Sequence, residues 1–393
     1  MEQKKIVYFF CILLFGLSFA SMLKKPTAFS EKENRYLASK PSLSVKAIEN
    51  GSYMEDYETF ITDQFVFRDQ WIGLKTKTER LLLKQEIKDV YFGKDDYLIE
   101  HHSSSLFTSA QAQKNISYLT RFVEKINGNK NVSLQVAIVP TASQILTDKL
   151  PLFATPYDQT QFLQQIEQNI GSSHYVDVLS MLQEKKEEEI YYKTDHHYTM
   201  LGAYYTYVAW ANAMSESSFS EHAITLTPMA LDDFKIDNVS NDFYGTIASK
   251  VSDIVPPDTI LSFTPKQRFQ YKITDETKTT YDSFYNFDAL KTRDKYTFYL
   301  RGNHPYIHVE TTPPPNTNID FYPDRHLLVI KDSFAHCFLP FVSNHFSNVT
   351  MIDLRYYKQS ISKLIEDEQI TDILILYSTA NFANDKNINF LLN

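Results

Sequence analysis

Three short segments made almost entirely of apolar residues recur along this chain: VSLQVAIVP (132–140), HLLVI (326–330) and TDILILY (371–377). A strand with no polar side must be covered on both faces, which is the signature of a parallel sheet between layers of helices. The intervening segments fit that reading. Apolar residues at helical spacing predict helices over about 109–126, in TMLGAYYTYVAWANAM, in AHCFLPFVSNHF and in SISKLIEDE. HYVDVLS and NVTMIDL read as further short strands. The alternation predicts an α/β/α sandwich with a mainly parallel sheet.

Between about 225 and 320 the rhythm breaks. Pro256 and Pro257, the strand-like RFQYKIT and KYTFYLRG, and the exit TTPPPNTN predict a β-rich insertion in the α/β body. No internal repeat is visible. At 393 residues and 43% apolar the chain is long enough to fill one large core or two.

The N-terminus sets the compartment. MEQKKIVYFFCILLFGLSFASMLKK has a charged start and an uncharged run from Ile6 to Leu23, which at about 1.5 Å per residue nearly spans a bilayer core of roughly 30 Å. Residues 1–25 are expected to be a signal anchor or a signal peptide. The anchor is favoured, because the run is long and is closed by Lys24 and Lys25, although Ser18 and Ala20 offer a small-x-small cleavage site. The body then lies at the extracytoplasmic face of the cell membrane, or is secreted if the segment is cleaved. Cys11 lies in the apolar run and Cys337 stands alone, so the body has no disulfide framework. Residues 26–90 are charged and carry helical spacing, as at Tyr57, Phe60 and Ile61 and again at Trp71 and Leu74, and are expected to form a helical neck. Residues 91–393 are the expected catalytic domain. The formal charge of -9, with no basic run, argues against nucleic acid as a partner.

Two stretches carry chemistry. KTDHHYTMLG places Asp195, His196 and His197 just ahead of a helix, and these residues suit a metal site, a catalytic relay or a helix cap. A metal site would need further convergent ligands. The remaining histidines, at 101, 102, 174, 222, 304, 308, 326, 336 and 345, show no metal-type spacing, so neither a metal nor a cofactor is expected. In HLLVIKDSFAHCF an apolar strand ends at Ile330, a turn follows, and a helix begins near Ala335. Ser333 thus lies at the C-terminal edge of a strand and the N-terminal edge of a helix, where open α/β sheets bind ligands and free N–H groups meet a developing anion. By itself that pattern equally describes an N-cap at Asp332 or Ser333. His336 reads as an ordinary first-turn residue.

Taken in chain order, ENRYLASKP, YETFITDQFVFRDQ, VYFGKDDYLIE, VPTASQILTDKLP, TDHHYTMLGAYYTY, NDFYGTIASK, RGNHP, KDSFAHCFLPF, IDLRYY and DILILYS resemble the DHHW family. That family is similar to the alginate O-acetyltransferase-like branch of the SGNH hydrolase superfamily. The resemblance implies an SGNH-like fold, with Ser333 as nucleophile, His197 as base and Asp195 as its orienting acid. It also puts forward Arg355, Asn303, Tyr198 and Tyr377 as substrate or oxyanion residues. Tyr198 stands where the family name has tryptophan, and Lys331 where a GDS-type turn has glycine. Because lysine lacks glycine's freedom at positive φ, a close copy of that turn is not expected. The activity implied is O-acetyl transfer to hydroxyls of a cell-surface or exported polysaccharide, with the acyl group supplied by a membrane-bound O-acyltransferase partner. A carbohydrate O-acetyl esterase with the same triad, or a non-catalytic glycan-binding protein, are the alternatives. If Asp195 and His197 lie in an extended segment, their side chains share one side and His196 faces the other.

Overall fold

The computed structural model describes residues 2–30, 32, 35–128, 132–216 and 224–393. Glu33 and Asn34, which open the ENRYLASKP stretch, and His222 lie outside the described residues. The chain divides into two compact units, residues 1–88 with 248–254, and residues 89–247 with 255–393.

In the first unit, helix α1 (Glu2–Leu23) contains the apolar run, with its large side chains exposed. Helices α2 (Ser52–Gln64) and α3 (Arg68–Leu81) follow. Two buried residues at the end of α2 tie down the segment before it. Asp63 takes both terminal nitrogens of Arg35 at 3.0 and 2.6 Å and the N–H of Ala38, while Gln64 exchanges two hydrogen bonds with the backbone of Thr27.

The second unit is built on a seven-stranded sheet: β1 (Ser133–Val139), β2 (Gln270–Asp275), β3 (Thr280–Tyr281), β4 (Tyr306–Thr312), β5 (Tyr322–Lys331), β6 (Phe346–Ile352) and β7 (Asp372–Ser378). The spatial order is β3-β2-β4-β6-β5-β7-β1. The pairs β6–β5, β5–β7 and β7–β1 are parallel, and the remaining three are antiparallel. Side chains alternate between two cores, as a period of two requires. Leu327, Val329, Leu374 and Leu376 face one core with helices α6 (Met200–Glu216) and α7 (Ala335–Val342). Leu328, Ile330, Ile373 and Ile375 face the other, with α4 (Ala110–Asn127), α5 (Thr160–Ile170) and α8 (Ile361–Asp367). Helices therefore cover both faces.

The β-rich insertion does not form a separate layer. Its strands β2, β3 and β4 extend the central sheet as an antiparallel edge, and a second hairpin pairs Phe234–Phe243 with Asp258–Pro265. Two expected strands are absent as such. HYVDVLS makes one isolated bridge at Tyr175 and then enters a helix from Val178, because the Asp177 side chain accepts from the N–H of Ser180 and caps it. KYTFYLRG is a 3-10 turn over Lys295–Phe298 followed by positive φ at Leu300, Arg301 and Gly302, a conformation no strand can contain.

The chain leaves β5 through α7 to β6 on one side, then returns through α8 to β7 on the other. Such a reversal opens a crevice at the carboxyl end of the central strand, and Ser333 follows β5 there.

Candidate active site

Lys331 ends β5, Asp332 and Ser333 turn, and α7 begins at Ala335. The turn is fixed by Asp332. Its Oδ1 accepts from the N–H of Phe334 at 2.9 Å, and its Oδ2 accepts from the N–H and hydroxyl of Ser378, both at 2.9 Å, and from Nδ2 of Asn381 at 2.8 Å. One carboxylate thereby joins the turn after β5 to the end of β7. The half-buried Ser333 accepts at its carbonyl from the Tyr296 hydroxyl at 3.1 Å. Its own N–H has no hydrogen-bond partner among the described residues, so it is a donor available for an oxyanion.

The Ser333 hydroxyl lies 2.7 Å from Nε2 of His197, and Nδ1 of His197 lies 2.5 Å from Oδ1 of Asp195. An ionised carboxylate only accepts, so the proton between them is on Nδ1; Nε2 is then a lone pair and the serine hydroxyl donates to it. Asp195 Oδ1 also takes the backbone N–H of His197 at 3.1 Å, while its Oδ2 takes the N–H and hydroxyl of Thr246 at 2.8 and 3.1 Å. The Tyr296 ring stacks on His197 with centroids 3.8 Å apart and planes 11° from parallel, which holds the imidazole from the side.

The 195–197 segment is bent rather than extended, because Asp195 folds back onto the His197 N–H. His196 consequently does not face the opposite side. Its ring lies against that of His197, centroids 3.9 Å apart, and its Nδ1 is 2.9 Å from the Thr246 hydroxyl. The ligating atoms of Asp195, His196 and His197 cluster closely enough to hold an ion. Each carboxylate oxygen, however, already serves His197 or Thr246.

Burial opposes ionising Asp195, yet the His196 and His197 rings, the His197 hydrogen bond and the Thr246 N–H hold its carboxyl well below the usual range. Burial, reinforced by neighbouring His196, pushes the His197 imidazole down to about 4 against the pull of Asp195. At neutral pH His197 is the free base, the form that can accept a proton from serine.

Lys331 needs no glycine-like backbone: it is the last residue of β5 and is absent from the positive-φ residues. Its fully buried ammonium donates to Nε2 of His336 at 2.9 Å and to Asp353 at 3.1 Å. His336, engaged there and kept neutral by burial and by Lys331, is not placed to serve Ser333. Asp353 also binds Arg355 through both carboxylate oxygens, at 2.9 and 2.6 Å, and Arg355 donates to Oδ1 of Asn303 at 3.1 Å. Since a guanidinium only donates, the Asn303 oxygen must face it, which leaves the Asn303 NH₂ pointing elsewhere as a donor.

Tyr198 and Tyr377 are buried, at 0% and 1% exposure. Tyr198 donates to the Phe334 carbonyl at 2.7 Å and packs edge-on against its ring, so it supports the serine turn from below and does not front a substrate. Tyr377 lies in the core on the other side of the sheet from Tyr198 and likewise does not reach a substrate space. A cavity of about 290 Å³ opens beside the histidines, lined by His196, Phe334, Thr246, Ser143 and Asn381 among others. Asp332 figured in the sequence reading only as a helix cap, and three contributors had no role there: Tyr296, Gly245 and Thr246. The last two lie in NDFYGTIASK, about fifty residues from the acid they hold, and no local pattern links them.

Residues 90–236 match a family model described as the SGNH hydrolase-like domain of the acetyltransferase AlgX. The match includes Asp195 and His197 and ends before Ser333. No curated protein matches the chain. Among solved structures, the chain is similar to a DHHW family protein from Eubacterium siraeum, with TM-score 0.58 and 22% identity over 77% of this chain and 95% of that one. It is also similar to Bacillus cereus PatB1 with a sulfonyl adduct, with TM-score 0.60 and 22% identity over 76% of this chain and 97% of that one. The fold is SGNH-like, with a mixed sheet.

Proposed function

We propose that this chain is an extracytoplasmic O-acetyltransferase that moves an acetyl group onto a hydroxyl of a cell-surface polysaccharide through Ser333, His197 and Asp195. The observation that carries the reading is the continuous hydrogen-bond chain from Asp195 through His197 to Ser333, at 2.5 and 2.7 Å. Its geometry is that of a serine nucleophile with its base and the acid that orients the base. The match of residues 90–236 to an acetyltransferase domain supports transfer.

In this mechanism Nε2 of His197 removes the Ser333 proton as Oγ attacks the carbonyl of the acyl donor. The N–H of Ser333 donates to the resulting oxyanion, as does Asn303 if the donor is seated beside Arg355. Collapse expels the donor's leaving oxygen, which takes the proton from His197 and leaves acetyl on Ser333. An acceptor hydroxyl then gives its proton to His197 as its oxygen attacks the acetyl carbonyl; collapse breaks the bond to Ser333 Oγ, which takes that proton back from His197, and the new ester departs. Asp195 stays ionised and stabilises the imidazolium in both half-reactions. Helix α1 is the membrane anchor in this reading, and the acetyl donor comes from a membrane-embedded acyltransferase.

The test is incubation of the full-length protein in detergent with p-nitrophenyl acetate and a polysaccharide acceptor. Ester on the polysaccharide is expected with wild type and none with Ser333→Ala. Sulfonylation of wild type by phenylmethylsulfonyl fluoride should map to Ser333. Free acetate as the sole product, whatever acceptor is offered, would make the chain an esterase; turnover by Ser333→Ala would remove the nucleophile assignment.

A further inference from the structure

At the opposite end of β5 from Ser333, His308 on β4, His326 on β5 and Glu368 just after α8 bring their ligating atoms together. They lie in separate stretches of sequence, and strand pairing assembles them. His308 is the cross-strand partner of Thr350 on β6, and His326 shares a face of β5 with Leu328, which pairs with the same Thr350. Five steps of β5, from His326 to Lys331, and then the turn separate His326 from Ser333, roughly 17 Å of strand at about 3.3 Å per residue. The cluster is therefore distinct from the candidate active site.

The outward-facing atoms of His326 and Glu368 are already held. Nδ1 of His326 lies 2.8 Å from the Glu368 carbonyl and must donate to it, because a carbonyl has no proton to give. Oε1 of Glu368 accepts from the Tyr306 hydroxyl at 2.7 Å. Supports of this kind, an imidazole N–H on a carbonyl and a hydrogen-bonded carboxylate, commonly orient metal ligands. The inward-facing atoms all converge on the Thr350 hydroxyl. It lies 2.9 Å from Nε2 of His326, 3.0 Å from Nδ1 of His308 and 2.5 Å from Oε2 of Glu368.

That hydroxyl has one proton. A neutral His326 with its proton on Nδ1 shows a lone pair at Nε2, and Oε2 of Glu368 is also an acceptor, 3.5 Å away. One proton cannot serve both, so among the described residues one of these two lone pairs is left without a donor, a place that an electron-pair acceptor such as a metal ion fills. Two imidazoles and one carboxylate are the donor set that zinc and its neighbours prefer, with Thr350 or water left to complete four-coordination. Glu368 and Tyr306 also line an open groove with Lys363 and Asp367, which gives an ion a path from solvent.

We infer that His308, His326 and Glu368 form a binding site for a divalent transition-metal ion of the zinc class, which fastens strands β4, β5 and β6 to the end of α8. Its occupancy is independent of acyl transfer.

The experiment uses full-length protein in detergent, stripped with EDTA, equilibrated with Zn²⁺ or Co²⁺ and freed of excess metal by gel filtration. Metal per chain is counted by mass spectrometry, and thermal unfolding is followed with and without metal. One retained equivalent and a raised unfolding midpoint are expected for wild type, with visible absorption of low-symmetry Co²⁺. His196→Gln should retain the metal, which places it away from the Asp195 cluster. His326→Gln and Glu368→Gln should each weaken binding at least tenfold. Thr350→Val keeps the three ligands and removes only the hydroxyl, so it should still bind. Folded wild type that retains no metal would overturn the site and leave a proton on His326 as the missing donor. Undiminished binding in both ligand variants, or loss in a folded Thr350→Val, would overturn the ligand assignment.

Discussion

A side chain at Gly245 has nowhere to go: a Cβ there would sit 2.2 Å from the Cβ of Asp195 and 2.4 Å from its Oδ2. The neighbouring Thr246 then reaches that same oxygen with its N–H and hydroxyl, and the Gly245 N–H donates to the Thr194 hydroxyl at 3.0 Å. This close approach is what aims the Asp195 carboxylate at His197. Gly245→Ala should displace the acid while leaving the sheet intact, and turnover is expected to fall by about 10²- to 10⁴-fold, toward the loss seen when a triad acid is disabled. Measured kcat with unchanged far-UV circular dichroism checks this; near wild-type turnover would show that Asp195 tolerates the shift.

The two adjacent histidines should separate cleanly. His197 holds both triad hydrogen bonds, so His197→Ala is expected to reduce turnover by several orders of magnitude, on the scale of triad deletion. His196 touches the His197 ring and Thr246 but neither Ser333 nor the acceptor oxygens of Asp195 at bonding distance. His196→Ala should cost far less, about tenfold or below. A dead His196→Ala enzyme at matched stability would reverse the assignment.

The parts of this site that sequence revealed are those written consecutively. The apolar run ending at Ile330, the turn at Asp332 and Ser333, and the helix from Ala335 are one continuous strand-turn-helix, so the position of Ser333 was readable from local pattern. The pairing of Asp195 with His197 came from the family resemblance, because the stretch alone left a metal site, a relay and a helix cap open; the bend that lays His196 beside its neighbour depends on one side-chain hydrogen bond and was not readable. Gly245, Thr246 and Tyr296 act across distances of fifty to a hundred residues, where only the fold supplies the contact. In the insertion, RFQYKIT and KYTFYLRG are both rich in aromatics; the first finds a partner in β4, and the second is turned aside by positive φ at three successive residues. Aromatic content reports burial in both cases and strand pairing in only one.

Activity should persist far into acid. His197 must be neutral to accept the serine proton, and burial with the neighbouring His196 places its folded-state value at about 4, below the ordinary 6.5. The kcat/KM profile is therefore full at neutral pH and falls as pH drops through that value. Stability moves in the same direction: a histidine that titrates lower in the fold than in the unfolded chain favours the fold above about 6.5, and that contribution is lost between 6.5 and the folded value. A kinetic acid limb centred near 6.5 in the folded enzyme would contradict the burial argument.

Asp332 should be the most sensitive acid near the nucleophile that is not itself in the triad. Four donors converge on its two oxygens: the N–H of Phe334, the N–H and hydroxyl of Ser378 and the amide of Asn381. Asp332→Asn changes almost no volume but replaces one acceptor oxygen with an NH₂ group. If the remaining oxygen serves Phe334, the new amide faces the donors of Ser378 and Asn381; if it turns over, Phe334 loses its partner. Either way, buried donors are left unsatisfied at about 1–3 kcal/mol each, and the turn after β5 loses its tie to the end of β7. The expected result is a loss of roughly 2–4 kcal/mol in denaturant unfolding, together with slower sulfonylation of Ser333 at a temperature where the variant remains folded. A purely structural role would lower stability and leave the sulfonylation rate unchanged, so the two readouts together decide whether Asp332 also positions the nucleophile.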